Sequence, residues 1–88
     1  MNCSIRIRSS AATEVSRVGK WGRARIVAAI DGLADNPFLG TALKGDLRGL
    51  RRLRVGEYRV MYEVQQDVLV MMVVRVARSK AAYRRRPK

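Results

Sequence analysis

The chain has 88 residues, and its 19 lysines and arginines outnumber its 7 aspartates and glutamates, which gives a formal net charge of +12. A chain of this length predicts one small domain, residues 1–88, with too little interior for a large cofactor. Because 48% of its residues are hydrophobic, it is too apolar to remain a disordered basic tail. One cysteine and no histidine exclude a disulfide framework, the standard structural zinc sites and a histidine base, so we expect neither metal nor cofactor.

The sequence predicts no membrane-spanning or exported segment. Its longest strongly apolar run, residues 68–74, is far shorter than the roughly 20 residues that a membrane helix needs. The first residues have neither the apolar stretch nor the cleavage site of a signal peptide. We therefore expect a cytoplasmic protein that does not contact a membrane.

Most of the positive charge lies in two arginine-rich segments. Residues 44–59 hold six basic and two acidic side chains, and residues 75–88 hold seven basic and no acidic ones. Arginine presents a planar, permanently charged fork that binds phosphate through two hydrogen bonds. The clustering therefore indicates a polyanionic partner, either a nucleic acid or an acidic protein, in preference to a merely solvated basic surface.

The N-terminal half predicts a strand followed by two helices. Residues 5–8 alternate apolar and charged side chains, which is typical of a short strand with one wet face. Ser9 or Ser10 is a candidate cap for the first helix. The second helix ends near Pro37, and we expect Trp21 to fill the space between the two helices. The apolar stripe of the second helix consists of Ile26, Val27, Ile30, Leu33 and Ala34.

The C-terminal half predicts three strands and a basic end. Residues 38–49 contain three glycines without steady periodicity, which is typical of a loop. Residues 50–55 and 58–64 alternate apolar and polar side chains around a turn at 56–57, and so predict a hairpin with one charged face. Residues 68–76 are apolar on both faces, so they predict a central strand covered on both sides.

This order of elements predicts an α+β fold. The N-terminal strand and an antiparallel meander of about three strands form a sheet, and the helical hairpin covers one of its faces. The other face is left available for a partner. Tyr58 and Tyr62 share a face with Val60 and Val64, so we expect both tyrosines in the core. The chain has no glycine-rich nucleotide motif and no carboxylate cluster, so the sequence gives no support for a nucleotide or metal site.

Two segments carry a specific pattern. Residues 43–63 have the sequence LKGDLRGLRRLRVGEYRVMYE, and residues 75–84 have the sequence RVARSKAAYR, in which a basic cluster precedes a tyrosine. Both closely resemble the RelE family of toxins from toxin-antitoxin systems, and the resemblance covers nearly the whole chain. It implies a microbial ribonuclease-like domain that acts as a metal-independent mRNA interferase, an endoribonuclease that inhibits translation.

The resemblance also implies a reaction and a set of partners. Messenger RNA is cut in the ribosomal A site through attack of the substrate's 2′-hydroxyl, which leaves a 2′,3′-cyclic phosphate and a free 5′-hydroxyl. The implied partners are the ribosome with its mRNA and a RelB-like antitoxin. Together with that antitoxin, the toxin is expected to bind operator DNA.

Five residues are the candidates for catalysis. Arg52 and Arg54 lie two apart on one strand, so both guanidinium groups point to the same face, where they can hold one phosphate. The resemblance places Arg59 at the family's arginine that stabilises transition-state charge. Arg78 is a candidate for protonating the leaving group or binding the neighbouring phosphate. Tyr83 matches the family's C-terminal tyrosine, which can stack on a base or shuttle a proton.

A further group of basic side chains is expected to bind RNA, and Lys80 among them is, like Arg78, also a candidate proton donor. The group consists of Lys44, Arg48, Arg51, Lys80, Arg84 and Arg85. The catalytic lysines of some family members have no lysine counterpart here, and arginine is a poor general base at neutral pH. The proton acceptor is therefore unassigned. Many relatives also carry His-Arg-Lys where this chain has Arg-Ser-Lys at residues 78–80, so the middle arginine is absent or displaced.

Two other functions stay open at this stage. A ParE-like toxin of the same fold would poison DNA gyrase through protein contact and would cleave no RNA. The set of Arg52, Arg54 and Arg59, followed by the basic block, suits RNA better than a gyrase contact surface. A small basic nucleic-acid-binding module without chemistry is the third possibility, and steep salt dependence without cleavage would favour it.

Overall fold

The computed structural model describes residues 2–78. Its helices are α1 (Ser9–Ser16) and α2 (Lys20–Asp35), and a short 3-10 turn occupies Gly45–Leu47. The strands are β1 (Ser4–Ile7), β2 (Thr41–Ala42), β3 (Arg51–Val55), β4 (Tyr58–Gln65) and β5 (Val70–Arg78). The α+β class predicted from the sequence is confirmed. Within the described part of the chain, no helix is long and apolar enough to cross a lipid bilayer.

The strands form one sheet in the order β1-β5-β4-β3-β2. β3, β4 and β5 are antiparallel neighbours, as the predicted meander requires, whereas β1 runs parallel to β5. Two parallel strands cannot be joined by a tight hairpin and need a long connection. The two helices that follow β1 provide part of that connection, so the chain can reach β5 in the direction that makes it parallel to β1. β5 therefore lies between β1 and β4, which confirms the prediction of a central strand. The predicted cover on both sides is not confirmed, because Val70 and Met72, on the face opposite the helices, are only half-buried.

Three boundaries differ from the sequence-based prediction. The segment predicted as a loop, residues 38–49, contains β2 and the 3-10 turn, because elements this short show no periodicity. β5 begins only at Val70, since the preceding turn runs through Leu69, whose φ is +53°. Neither predicted serine caps α1. Its N-cap is Arg8, whose carbonyl accepts the first helical hydrogen bond from Ala12.

The helices pack against one face of the sheet and form the core there. Tyr62 is fully buried and Tyr58 packs at the edge of the same cluster, so both tyrosines lie where the sequence predicts. Val27 is the exception on the α2 stripe, because it is 47% exposed. The buried side chains of the core are Cys3, Ala11, Val18, Ile26, Ile30, Leu33, Val60, Tyr62, Met71, Val73 and Val76.

Trp21 does not fill the space between the helices, because its side chain is 80% exposed. The inward position at this point of α2 is Gly22, where a Cβ would lie 2.9 Å from Val18 Cγ1 and 3.4 Å from Tyr58 Cε2. Successive helical residues are rotated by about 100°, so the residue before Gly22 points toward solvent. The close approach of α2 to the sheet therefore depends on the glycine, and the indole is free for another role.

Candidate nucleic-acid interface

The face of the sheet opposite the helices, called here the open face, carries three of the predicted arginines. Arg52 pairs with Met61, and Arg54 pairs with Arg59 across β3 and β4. Leu53, which lies between the first two arginines, packs against the core. Because side chains alternate along a strand, Arg52 and Arg54 point away from the helices, and Arg59 points the same way. The structure therefore brings these three predicted residues together.

Arg54 and Arg59 form a pair of like charges. Directly opposed residues on antiparallel strands have Cβ atoms about 4.5–5.5 Å apart, and like charges at such positions destabilise a sheet. Arg54 is exposed and its Nε donates to the Gly56 carbonyl at 3.2 Å, whereas Arg59 is half-buried. A phosphate between the two guanidinium groups would accept hydrogen bonds from both and offset their repulsion. The pair is therefore suited to binding an anion.

Arg78 does not point to the open face with the other arginines, and its role in proton donation or phosphate binding stays a prediction. It stands opposite Tyr58 at the end of β5, on the side of the helices, and Ala77 is the residue that stands opposite Arg59. The Arg78 guanidinium lies 5.5 Å from the centre of the Tyr58 ring, and its Nη1 donates to Glu57 Oε1 at 2.7 Å. The reason is a bulge in β5 at the step from Met61 to Tyr62, which reverses the alternation of side chains beyond it.

Arg51 also points to the helix side, opposite Tyr62. Its Nε and Nη2 donate to the Gly40 carbonyl at 3.0 and 2.7 Å, and Nη2 also donates to the Phe38 carbonyl at 3.1 Å. The guanidinium lies 5.2 Å from the centre of the Phe38 ring. The structure thus gives Arg51 contacts inside the protein, where it holds the segment between α2 and β2, instead of a place on the open face.

We expect Arg51→Ala to lower the free energy of unfolding by about 1–3 kcal/mol, because two backbone carbonyls lose a charged donor. Urea denaturation measures the change. Arg48→Ala is the matched control, since Arg48 is exposed at the end of the 3-10 turn, and we expect a change within about 0.5 kcal/mol there. Equal stability of the two variants would contradict the structural role of Arg51.

The remaining predicted residues fall into two groups. Lys44 and Arg48 flank the 3-10 turn before β3 and are both exposed. The others lie outside the described residues, and they are Lys80, Tyr83, Arg84 and Arg85. The roles of both groups in binding RNA or in catalysis stay predictions.

Sequence reasoning missed a second basic site, at the end of the sheet. A shallow cavity of about 350 Å³ lies between the first turn of α2 and the β3–β4 turn. The signal that could have revealed it is the position of Trp21, one residue away from the inward-facing stripe of α2. The charged and aromatic residues that line the cavity are Lys20, Trp21, Arg25, Glu57, Tyr58 and Arg78.

Comparison with known proteins places the chain among toxins of toxin-antitoxin systems. A family model described as the ParE toxin of the type II toxin-antitoxin system parDE matches residues 5–83. The chain is 34% identical over 85 residues to Toxin RelE of Mycobacterium tuberculosis, which covers 94% of this chain and 88% of that protein.

Two solved structures have a similar fold. The toxin-antitoxin complex RelBE2 of Mycobacterium tuberculosis matches with a TM-score of 0.82 and 22% identity, over 89% of this chain and 99% of that chain. The archaeal RelE–RelB complex of Pyrococcus horikoshii matches with a TM-score of 0.73 and 24% identity, over 89% of this chain and 96% of that chain.

Proposed function

We propose that this chain, which belongs to the RelE/ParE family of toxins of type II toxin-antitoxin systems, stops translation by cleaving messenger RNA on the ribosome. The observation that supports this best is the opposed pair of Arg54 and Arg59, with Arg52 beside it on the open face. Three guanidinium groups on two neighbouring β-strands can bind the phosphates along the backbone of a single RNA strand.

The proposed reaction uses the RNA's own nucleophile. The 2′-oxygen attacks the adjacent phosphorus, so the P–O2′ bond forms and the P–O5′ bond breaks. The 2′-hydroxyl loses a proton and the leaving 5′-oxygen gains one, which gives a 2′,3′-cyclic phosphate and a free 5′-hydroxyl. Negative charge increases on the phosphorane oxygens between these two events. Arg54 and Arg59 are positioned to donate hydrogen bonds to those oxygens as the charge develops.

Arg52 is proposed to hold a neighbouring phosphate. Arg52 and Arg54 are two residues apart on β3, so their Cα atoms are about 7 Å apart. The two side chains can therefore contact consecutive phosphates of one RNA strand. The register puts Ala77, and not a basic residue, opposite Arg59 on β5. The proposed donors of the proton to the leaving oxygen are therefore Lys80 and Tyr83.

A cognate antitoxin is the proposed protein partner. In the Pyrococcus horikoshii structure the similar RelE chain is in complex with RelB, and the Mycobacterium tuberculosis structure is also a toxin-antitoxin complex. The formal charge of +12 suits a partner with complementary acidic groups. We further propose that the complex binds its operator DNA.

Two observations favour a second candidate, a toxin that acts on DNA gyrase through protein contact. The matching family model is that of the ParE toxin, and Ala77 provides no proton donor on β5 beside Arg59. Such a toxin needs no reaction at a phosphate.

Two cell-free assays run in parallel separate the candidates. The purified chain is expected to stop protein synthesis in a translation extract and to leave the supercoiling of relaxed plasmid by gyrase unchanged. Inhibition of translation should disappear with Arg59→Ala. Inhibited supercoiling with normal translation would contradict the proposed cleavage and support the second candidate.

A further inference from the structure

Trp21 lies beside the cavity at the end of the sheet and has no part in the proposed cleavage. It is the only tryptophan of the chain, and it is 80% exposed on the first turn of α2. The ammonium group of Lys20 lies 5.9 Å from the centre of its ring. A flat aromatic surface that stays in water next to a cation is the combination on which unpaired nucleic acid bases stack.

The cavity carries more positive than negative charge. Among the described residues, Lys20, Arg25 and Arg78 line it together with one carboxylate, that of Glu57, which accepts a hydrogen bond from Arg78 at 2.7 Å. Arg25 lies over the β3–β4 turn, since its Nη1 would be 3.2 Å from a Cβ built on Gly56. An anionic ligand is therefore favoured over a neutral one.

The cavity adjoins the open face through the same turn. On the open face, Arg54 donates a hydrogen bond of 3.2 Å to the carbonyl of Gly56. On the side of the helices, Arg25 approaches the same glycine. Basic side chains thus lead around the end of the sheet from the Arg54–Arg59 pair to Trp21. A single strand held on the open face can follow them into the cavity.

We propose that the cavity binds one nucleotide of single-stranded RNA, with its base stacked on Trp21 and its phosphate held by Lys20 and Arg25. That the nucleotide belongs to the cleaved message rests on the proposed function. The binding itself does not. In the same cavity as Trp21, the Glu57 carboxylate can accept hydrogen bonds from the edge of a base and the Arg78 guanidinium can donate them. The combination with an aromatic face favours a nucleotide over an acidic protein segment.

The experiment uses Trp21 as its own fluorescent reporter. The complete chain is titrated with single-stranded RNA whose 2′-hydroxyls are methylated, so that the nucleophile is blocked and no cleavage occurs. Inorganic polyphosphate of equal charge serves as a polyanion without bases. We expect the RNA to quench tryptophan emission and polyphosphate to leave it nearly unchanged.

Variants test the same contact without the reporter. Trp21→Ala is expected to raise the Kd for the methylated RNA about 5- to 100-fold, and Trp21→Phe, which keeps an aromatic face, much less. Arg25→Ala should also weaken binding. Its matched control is Arg8→Ala, which removes the same charge at the start of α1, outside the cavity.

The outcomes separate this inference from the proposed function. Quenching by RNA in a chain that cleaves no message would support the nucleotide site and contradict the cleavage. Unchanged emission on binding RNA, in a chain that cleaves message, would overturn the nucleotide site and leave the cleavage standing. Equal quenching by polyphosphate would overturn the stacked base.

Discussion

Replacing Arg59 by alanine is expected to lower the single-turnover rate of message cleavage about 10²- to 10³-fold. This is the usual loss when one preorganised hydrogen-bond donor to a developing oxyanion is removed from an enzyme. Arg59 is half-buried on β4, and its strand pairs with β3 on one side and β5 on the other. The paired strands therefore fix its backbone, and partial burial limits the freedom of its side chain. Arg59→Lys keeps the charge but loses the two-pronged geometry, so we expect an intermediate rate.

The measurement is the rate of mRNA cutting on purified ribosomes at saturating toxin. Thermal unfolding of each variant shows that the loss concerns the reaction and not the fold. Arg8→Ala removes the same charge at the end of the edge strand β1, which β5 separates from the strand of Arg59, and should keep the wild-type rate. If Arg59→Ala cut as fast as Arg8→Ala, transition-state stabilisation by Arg59 would be refuted.

Tyr62→Phe is expected to lower the free energy of unfolding by about 2–4 kcal/mol, since two buried backbone groups each lose a hydrogen bond. The Tyr62 hydroxyl is buried, donates to the Pro37 carbonyl at 2.7 Å and accepts from the Gly40 amide at 2.9 Å. The hydroxyl is packed closely against Gly40, because a Cβ at that position would lie 2.5 Å from the hydroxyl oxygen. For a domain of this size the midpoint of thermal unfolding should fall by about 10–25 °C.

Tyr58→Phe is the matched control for this change. Tyr58 is half-buried at the edge of the core, and phenylalanine keeps the ring over which Arg78 lies. We expect its stability to change by less than about 0.5 kcal/mol. Equal losses in the two variants would show that the hydroxyl of Tyr62 contributes no more than any tyrosine hydroxyl.

The open-face arginines were predictable because the signals are local. The spacing of Arg52 and Arg54 is enough to place them on one face of a strand. The turn at Gly56 then brings Arg59 opposite Arg54. Both inferences require only the alternation of side chains and a tight hairpin, so no distant contact could change them.

The position of Arg78 was not predictable from alternation. Met71 and Val73 face the core, and strict alternation from them would put Ala77 on the core side and Arg78 on the open face. The extra residue of the bulge reverses this order, so that Val76 is buried instead. A bulge depends on pairing between β4 and β5, which a single sequence does not reveal.

Trp21 illustrates a second limit of pattern reasoning. A large aromatic residue at the start of an amphipathic helix favours a buried position. The neighbouring Gly22 decides otherwise, because α2 approaches Val18 and Tyr58 at the residue without a side chain. The exposed indole and the cavity beside it thus follow from a helix–sheet contact that hydropathy does not encode.

The most direct test of the central claim is primer-extension mapping of 5′ ends on a messenger RNA held in translating ribosomes and exposed to the purified chain. The account predicts new 5′-hydroxyl ends inside ribosome-occupied codons, which are absent with Arg59→Ala. Intact message in the presence of an excess of the folded wild-type chain would contradict it.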